Sequence, residues 1–143
     1  MKKTFTTTST LFLFLSLSLT AKTIHVKPGG AGNGAAWATA SGDLAAALRI
    51  ATAGDEVWVA KGTYFPTAGK DRHKMFCIPS GVKVFGGFAG TETRREQRNP
   101  LCHTTILSGD IGARNNPADN AFTVVFIANA NEQTTLDGFI ISS

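Results

Sequence analysis

The sequence has few charged residues, little net charge and only two cysteines. Charged side chains make up 17% of the 143 residues, and 14 basic against 10 acidic side chains give a formal net charge of +4. Two of the basic side chains, Lys2 and Lys3, lie in an N-terminal leader, so the rest of the chain is close to neutral. Nucleic-acid-binding proteins depend on a strongly basic surface. The weak positive balance therefore argues against a nucleic-acid partner.

Motifs for nucleotide or metal chemistry are also missing. A glycine-rich loop at residues 30–34 precedes a helical pattern, but its glycines lack the G-x-G-x-x-G spacing, and no Gly-Lys-Ser/Thr follows them. His73 and His103 have neither a paired carboxylate nor a second ligand at metal spacing. We therefore predict no catalytic, cofactor-binding or metal-binding residue, and we interpret the glycine-rich loop as a tight surface turn.

The N-terminal segment, residues 1–21, is typical of a secretory signal peptide. Lys2 and Lys3 supply a positive start, residues 11–19 form an apolar core, and Ala21 is a small residue at a cleavage point. The apolar core is shorter than the about 20 residues that cross a bilayer, although an uncleaved N-terminal anchor is the alternative interpretation. Leu19 is larger than the residue usually found before a cleavage site, which leaves the cut itself open. The mature chain is predicted to have no transmembrane helix.

Short apolar runs recur at nearly constant spacing after the leader. The stretch from Val57 to Val82 is almost as long as the stretch from Val82 to Ile106. A constant period of this length predicts a stacked repeat in which no unit buries its own apolar face. Residues 80–111 are interpreted as one repeat: a strand, a corner at Gly86 and Gly87, a polar loop and the next strand. A sandwich and βαβ units are disfavoured, because hairpin turns and a helix for each crossover are missing.

One amphipathic helix is predicted over residues 41–52, ahead of these strands. Leu44 and Leu48 fall on one face, and Ser41 or Asp43 can cap the first amide groups. We expect the apolar face to cover the end of the first coil, with Trp37 packed beneath the helix.

The chain is thereby divided into three segments. Residues 1–21 are the signal peptide, residues 22–54 are an N-terminal strand, a glycine-rich loop and a capping helix, and residues 55–143 are the first coils of a repeat fold. The sequence stops just after an apolar strand, which natural proteins normally cover. We therefore expect an incomplete fragment of a longer solenoid.

Several segments carry a resemblance to a known family. They are residues 24–30 (IHVKPGG), 32–34 (GNG) with Trp37, Asp43, Leu44, Ala47, Leu48, 54–64 (GDEVWVAKGTY), 81–92 (GVKVFGGFAGTE), 105–110 (TILSGD) and 136–139 (LDGF). With these segments the sequence resembles the N-terminal region of secreted bacterial proteins of the pectin-lyase-like superfamily, including surface proteins with polymorphic-outer-membrane-protein-type repeats. The resemblance implies an all-β fold, a right-handed parallel β-helix with an N-terminal capping helix. It also implies a secreted or cell-surface location at the bacterial envelope, including the outer membrane.

A basic segment is the one candidate for ligand contact. Arg94, Arg95 and Arg98 lie within residues 93–98 (TRREQR) and are the candidate residues for contact with an acidic polysaccharide or cell-surface glycan. The Thr-x-x-Glu spacing indicates a short helical turn here. A solvated face with no ligand is the alternative interpretation.

The positions of the acidic residues indicate whether the chain could contain the active site of a polysaccharide lyase. A lyase of this superfamily would be expected to gather carboxylates for Ca²⁺ at one strand position. Asp110 and Asp137 are separated by another apolar run, and Lys83 has no acidic counterpart at the equivalent place. We interpret these aspartates as turn-forming or solvated. No cofactor is predicted, and Ca²⁺ enters only under the lyase alternative.

The two cysteines, Cys77 and Cys102, are separated by a stretch of sequence that matches the strand recurrence. If one repeat is one turn of a coil, the two residues stack within the distance that a disulfide bridges. Export permits oxidation. A disulfide and a pair of small buried thiols in neighbouring turns are the two interpretations.

The expected function follows from the leader, the repeat and the lack of an acid/base set. We expect a non-catalytic N-terminal cap and first coils of an exported or cell-surface β-helix protein that is adhesive or contacts glycans. The alternative is the N-terminal part of a polysaccharide lyase or glycoside hydrolase whose active site lies downstream of this segment.

Overall fold

The computed structural model describes residues 20–143, which form nine short strands, one α-helix and three 3₁₀ helices. The leader prediction falls almost entirely on residues 1–19, outside the described range. The strands are β1 (Thr23–Val26), β2 (Glu56–Ala60), β3 (Gly62–Tyr64), β4 (Phe76–Ile78), β5 (Lys83–Phe88), β6 (Thr105–Ser108), β7 (Val125–Ile127), β8 (Thr135–Asp137) and β9 (Ile140–Ser142). Helix α1 is Leu44–Ile50, and the 3₁₀ helices are Trp37–Thr39, Arg95–Gln97 and Pro117–Asp119.

The strands form three parallel sheets. The first sheet has the order β1-β2-β5-β8, the second β3-β6-β9 and the third β4-β7, and every strand pair in them is parallel. From β2 onward the chain visits the first, second and third sheets in turn and then returns to the first. The prediction of a β-rich chain with one helix is confirmed at this level.

The register differs from the predicted constant repeat. Val57 lies beside Val84, and Val84 lies beside Leu136, so the second step along the chain is about twice as long as the first. Ile106 belongs to the second sheet and lies beside Thr63. The predicted equivalence of Val57, Val82 and Ile106 is therefore wrong, because sequence spacing depends on loops of unequal length, whereas stacking depends on strand pairing.

Gly86 and Gly87 lie inside β5 and do not form the predicted corner. Trp58 pairs with Phe85 and Ala60 pairs with Phe88, so β5 has one more residue than β2 between these two pairs. This is a β-bulge, and Gly87 supplies the positive φ of 90° within it. The bulge changes the alternation of β5, so that Phe85 and Phe88 share one face.

The core lies between the three sheets. Ile24, Val57 and Val84 are register partners on neighbouring strands of the first sheet and are almost completely buried, and Phe76 from β4 and Leu107 from β6 belong to the same buried cluster. Burying an aliphatic or aromatic side chain of this size stabilises the fold by about 1.5–3 kcal/mol. The core is thus assembled from short strands that contribute one or two side chains each.

Helix α1 closes one end of this core. It is shorter than predicted: the Asp43 carboxylate accepts a hydrogen bond from the Ala46 N–H at 2.9 Å, and the helix ends before Ala51. Leu44 and Leu48 are buried in the core, in agreement with the predicted apolar face. Trp37 does not pack beneath the helix as predicted. Its indole lies on the outside of the first sheet, near Phe88.

Candidate ligand-binding face

The outward side of the first sheet, called the outer face below, brings together the residues of greatest chemical interest. Residues stack there in two rows. One row contains His25, Trp58, Phe85 and Asp137, and the other contains Thr23, Glu56, Lys83 and Thr135. The loops that contain Trp37 and residues 93–98 cover parts of this face.

An aromatic cluster forms the base of the outer face. The rings of Trp58 and Phe88 are stacked, with 4.8 Å between their centres and 11° between their planes. Trp37 approaches Phe88 at 5.6 Å between ring centres. Phe88 belongs to this cluster because of the bulge in β5. Trp58 and Phe85 point outward, yet they are only 8% and 7% exposed, because the covering loops pack on them.

Arg95 and Arg98 pack over this base. Their guanidinium carbons lie 4.9 and 5.1 Å from the centre of the Phe85 ring. Arg95 Nη1 donates to Glu56 Oε1 at 2.9 Å, and Arg98 pairs with the Asp137 carboxylate and donates to the Gly86 carbonyl. Cation–π contacts and ion pairs of this kind fix the side chains in place.

The three arginines therefore differ in their environments. Arg94 is exposed and makes no ion pair with any residue between 20 and 143. The charges of Arg95 and Arg98 are balanced by carboxylates within the protein. The structure brings Arg95 and Arg98 together on Phe85. Arg94, Arg95 and Arg98 are called the arginine surface below, and its contact with a glycan stays a prediction.

The acidic residues are placed differently from the expectation. Glu56 is the register neighbour of Lys83, so the expectation that Lys83 has no acidic counterpart is wrong. Strands β2 and β5 pair with Val84, not Val82, beside Val57. This register places Glu56 beside Lys83 and explains the error. Asp137 lies on the strand β8 rather than in a turn; its side chain is exposed, as expected for a solvated aspartate, and it pairs with Arg98.

Asp110 does have the expected turn role. Its carboxylate accepts hydrogen bonds from the Asn115 N–H, and its backbone N–H is bonded to the Ser108 hydroxyl at 3.2 Å. These contacts are local in sequence and shape the loop after β6. Asp110 and Asp137 are therefore not gathered at one strand position.

A groove of about 380 Å³, called the Trp37 groove below, opens beside the aromatic cluster. Residues that line it include Thr23, His25, Trp37, Trp58, Thr91 and Glu92. The Trp37 Nε1–H donates to the Glu92 carbonyl oxygen at 2.9 Å, which fixes the orientation of the half-buried indole. Sequence reasoning missed Trp37 as a site residue, because only the fold shows that its loop reaches the outer face.

The hydrogen bonding of His25 defines which of its atoms is free. Its Nδ1 lies 3.1 Å from the Gly34 carbonyl oxygen. Because a carbonyl oxygen only accepts, Nδ1 carries the hydrogen, and Nε2 makes no hydrogen bond to the described residues. The imidazole is held edge-on between Trp37 and Trp58, with ring-centre distances of 4.7 and 5.5 Å. Nε2 is therefore the free polar atom of this side chain.

Glu92 is a fixed anion that organises the covering loop. Its carboxylate accepts hydrogen bonds from the N–H groups of Ala89, Gly90 and Thr91 at 2.6–3.0 Å. Burial by itself would raise the pKa of Glu92, but the backbone N–H donors outweigh it and lower that pKa below its ordinary value. Glu92 is therefore held as a carboxylate and is unsuited to donate a proton.

A larger cleft of about 510 Å³ lies elsewhere, between the start of α1 and the loop after β3. Phe65 and Arg114 both line it, and the Arg114 guanidinium carbon lies 3.6 Å from the centre of the Phe65 ring. One face of this ring is thus occupied by the arginine. The Trp37 groove is the better candidate for stacking a ligand, because Trp37 is only half-buried and no arginine of residues 20–143 packs over its ring.

The two cysteines do not stack. Cys77 lies on β4 beside Phe126, and Cys102 lies in the turn before β6. Both thiols are exposed and unbonded, so the buried-thiol interpretation is wrong as well. The predicted disulfide depended on stacked positions, and the register removes that support. The reason is again the unequal loop length, which separates the two residues into different parts of the fold.

His73 and His103 are the histidines outside the outer face. His73 is exposed beside the Phe122 ring, and the buried Nδ1 of His103 has no hydrogen-bond partner. Over residues 20–143 no group of three or more His, Cys, Asp or Glu side chains is arranged to hold a metal ion. In the same range no helix is long and apolar enough to cross a membrane.

Comparison of the chain with protein-family models, with curated proteins and with solved structures finds no match.

Proposed function

We propose that this protein is the N-terminal cap and first coils of an exported right-handed parallel β-helix protein of the pectin-lyase-like type, acting as a non-catalytic scaffold that adheres or contacts glycans at the bacterial cell surface. The observation that carries the proposal is the return of the chain, in register, to three parallel sheets. Side chains of successive strands then stack in rows, as a coil repeat requires. Parallel crossover connections are right-handed in nearly all proteins, which supports the handedness.

The two ends of the stack support the division into cap and coils. Helix α1 covers the end that begins with β1. At the other end, Phe126, Ile127, Ile140 and Ile141 on β7 and β9 are between 40% and 53% exposed. Exposed apolar edge strands of this kind are normally paired or covered. A further coil, stacked on β7, β8 and β9, is the cover that a longer solenoid supplies.

The location is proposed from the leader. A positive start, an apolar core and a small residue at Ala21 are the three parts of an export signal. The outer face supports the contact function, because it presents aromatic, hydroxyl and charged side chains on a rigid sheet.

A reporter fusion tests the location. Residues 1–30 are joined to an alkaline phosphatase that lacks its own leader and is active only after export. We expect phosphatase activity in the bacterial host, and loss of that activity when the leader's apolar core is interrupted by two arginines. Activity that stays absent with the intact leader, while the fusion protein is present in the cytoplasm, overturns the proposed export.

A degradation assay tests the scaffold role against the lyase and hydrolase alternative. The full-length gene product is incubated with polygalacturonate and alginate, with and without Ca²⁺, and unsaturated and reducing ends are measured. We expect neither kind of end to accumulate above a heat-inactivated sample. Ca²⁺-dependent release of unsaturated ends contradicts the non-catalytic proposal and favours the lyase.

A further inference from the structure

We propose that the Trp37 groove binds an uncharged sugar, with a pyranose ring stacked on Trp37 and its hydroxyl groups bonded to the groove wall. The proposal rests on the proposed glycan contact and specifies where and with which class of sugar that contact is made. It places the binding site beside the arginine surface rather than on it.

The aromatic part of the groove is suited to the apolar face of a sugar ring. The Trp37 indole is half-buried and is held by its hydrogen bond to the Glu92 carbonyl, so little side-chain freedom remains to be lost on binding. An amphipathic ring of this kind combines a large apolar surface with a fixed orientation. The groove volume of about 380 Å³ also lies within the range of small-molecule sites.

The polar groups of the groove match hydroxyl groups. Thr23 and Thr91 line it with side-chain hydroxyls that make no hydrogen bond to the described residues. His25 adds the free Nε2 atom, because Nδ1 is taken by Gly34. The threonine hydroxyls can donate and accept, and the Nε2 atom of the neutral His25 ring accepts, so together they offer the partners that sugar hydroxyls need.

The charges of the groove disfavour an acidic sugar. No lysine or arginine of residues 20–143 lines the groove. Its carboxylate, Glu92, is ionised and tied to the backbone. The nearby Glu56 is occupied by Arg95 and by the Trp58 Nε1–H. A uronic acid would therefore find no cationic partner for its carboxylate and would be repelled by Glu92.

Tryptophan fluorescence reports on the groove directly, because the two tryptophans of the chain, Trp37 and Trp58, both line it. The purified protein is titrated with cellohexaose, xylohexaose and mannohexaose as neutral probes and with hexagalacturonate as the acidic probe. We expect a saturable change with a neutral probe and none with hexagalacturonate. The titration extends to about 10 mM, where even millimolar binding is visible.

Three variants locate the binding by calorimetry. Trp37→Ala is expected to weaken binding about tenfold or more, whereas Trp37→Phe keeps a stacking ring and loses less. Thr91→Val keeps the shape of an exposed residue, so it folds normally and removes only a hydroxyl. The control is Leu101→Ala, which lies in the same covering loop, is 94% exposed and does not line the groove.

Each outcome decides the proposal. Absence of saturable binding to all neutral probes overturns it, and so does neutral-probe binding that Trp37→Ala and Thr91→Val leave unchanged. Binding of hexagalacturonate that depends on Arg94, Arg95 and Arg98 assigns the contact to the arginine surface instead. These binding experiments use the purified protein and are independent of the export and degradation assays. A negative binding result therefore does not change the outcome of those assays, and a negative export or degradation result does not prevent the measurement of sugar binding.

A separate observation concerns the N-terminus. We infer that removal of the leader after Ala21 creates an ion pair between the new α-ammonium group of Lys22 and Asp55. The Lys22 backbone nitrogen lies 3.0 Å from Asp55 Oδ1, and the Lys22 Nζ lies 3.1 Å from Asp55 Oδ2. Asp55 is only 2% exposed.

The chemistry of the step is peptide hydrolysis by a signal peptidase. Water adds to the Ala21 carbonyl, the bond from that carbonyl to the Lys22 nitrogen breaks, Ala21 leaves as a carboxylate and the freed Lys22 amine takes up a proton. A neutral amide donor to the Asp55 carboxylate thereby becomes a charged donor, which adds a Coulombic attraction to the existing hydrogen bond. The Glu56 N–H to Lys22 carbonyl bond at 3.0 Å keeps the strand start in place after the cut.

Two chains that differ by a single residue test the inference. The chain 22–143 has the α-ammonium group on Lys22, whereas the chain 21–143 has an amide there. We expect the shorter chain to have a Tm a few degrees higher at pH 7, and this difference to persist in Lys22→Met and to vanish in Asp55→Asn. Equal Tm values for the two chains overturn the inference. A mass for the exported protein that places the cut elsewhere overturns it as well.

Discussion

Replacing Asp55 by asparagine removes a buried carboxylate that ties the first strand to the end of helix α1. The carboxylate accepts from the N–H groups of Lys22 and Thr52 and from the Thr52 hydroxyl, at 2.8–3.1 Å, and it pairs with the Lys22 ammonium group. Burial alone would raise the pKa of Asp55, but these donors outweigh it and lower the pKa from 3.8 to about 2. The lowered pKa corresponds to about 2 kcal/mol of folding free energy at neutral pH.

The direction of the pH dependence follows from this pKa. Because the folded-state pKa lies below that of the unfolded chain, the stabilisation is complete above about pH 4 and is lost as the pH falls to about 2. In Asp55→Asn this part of the acid dependence disappears. The asparagine NH₂ group cannot accept a hydrogen bond, so a buried N–H also loses its partner, at a cost of about 1–3 kcal/mol.

Urea unfolding followed by tryptophan fluorescence, repeated between pH 2 and 7, measures both effects. We expect Asp55→Asn to lower the free energy of unfolding by about 2–4 kcal/mol at pH 7 and by much less at pH 2. Glu132→Gln is the control, because Glu132 is exposed and makes no hydrogen bond or ion pair within residues 20–143. A loss below about 1 kcal/mol at pH 7 for Asp55→Asn, or a loss that is independent of pH, refutes this explanation.

Two further substitutions test the covering loop and the bulge. Glu92→Gln is expected to lower the free energy of unfolding by about 1–3 kcal/mol, because an amide cannot accept all three loop N–H bonds, and the loss should shrink as the pH falls below 4.5. Urea titrations at pH 7 and pH 3 check this, and an equal loss at both values contradicts it. Gly87→Ala is expected to cost more than about 1 kcal/mol, since Gly87 has a φ of 90° and an added Cβ would lie 2.7 Å from Pro100. Gly69→Ala, where the nearest atom is 3.5 Å away, is the matched control in thermal melts, and equal Tm losses in the two variants contradict the prediction.

The arginine segment shows how loop and sheet share the outer face. Arg95 and Arg98 come from one short 3₁₀ turn, whereas their carboxylate partners come from β2 and β8. The aromatic ring between them belongs to β5. Three strands and one loop therefore fix the two cations, and Arg94 is the arginine of this segment that remains directed to solvent.

Local features of this protein are encoded in short stretches of its sequence. The alternation of Val57 and Val59 with Trp58 predicts which side chains face inward, and the structure confirms it. Asp43 before an apolar run predicts the start of α1, because a side-chain cap needs only the next few residues. A β-rich chain with one helix therefore follows from the sequence alone.

Only the tertiary structure decided which strands stack and what covers the outer face. The partner of Val57 is Val84 and not Val82, and the bulge at Gly87 turns Phe88 outward. Asp137 meets Arg98, and Trp37 reaches the aromatic cluster, across long separations in sequence. These contacts depend on loop lengths and on backbone pairing between distant strands. Hydrophobic periodicity predicts which face of a strand is buried, but it contains no information on the register between strands. The residues of the outer face could therefore not be brought together from the sequence.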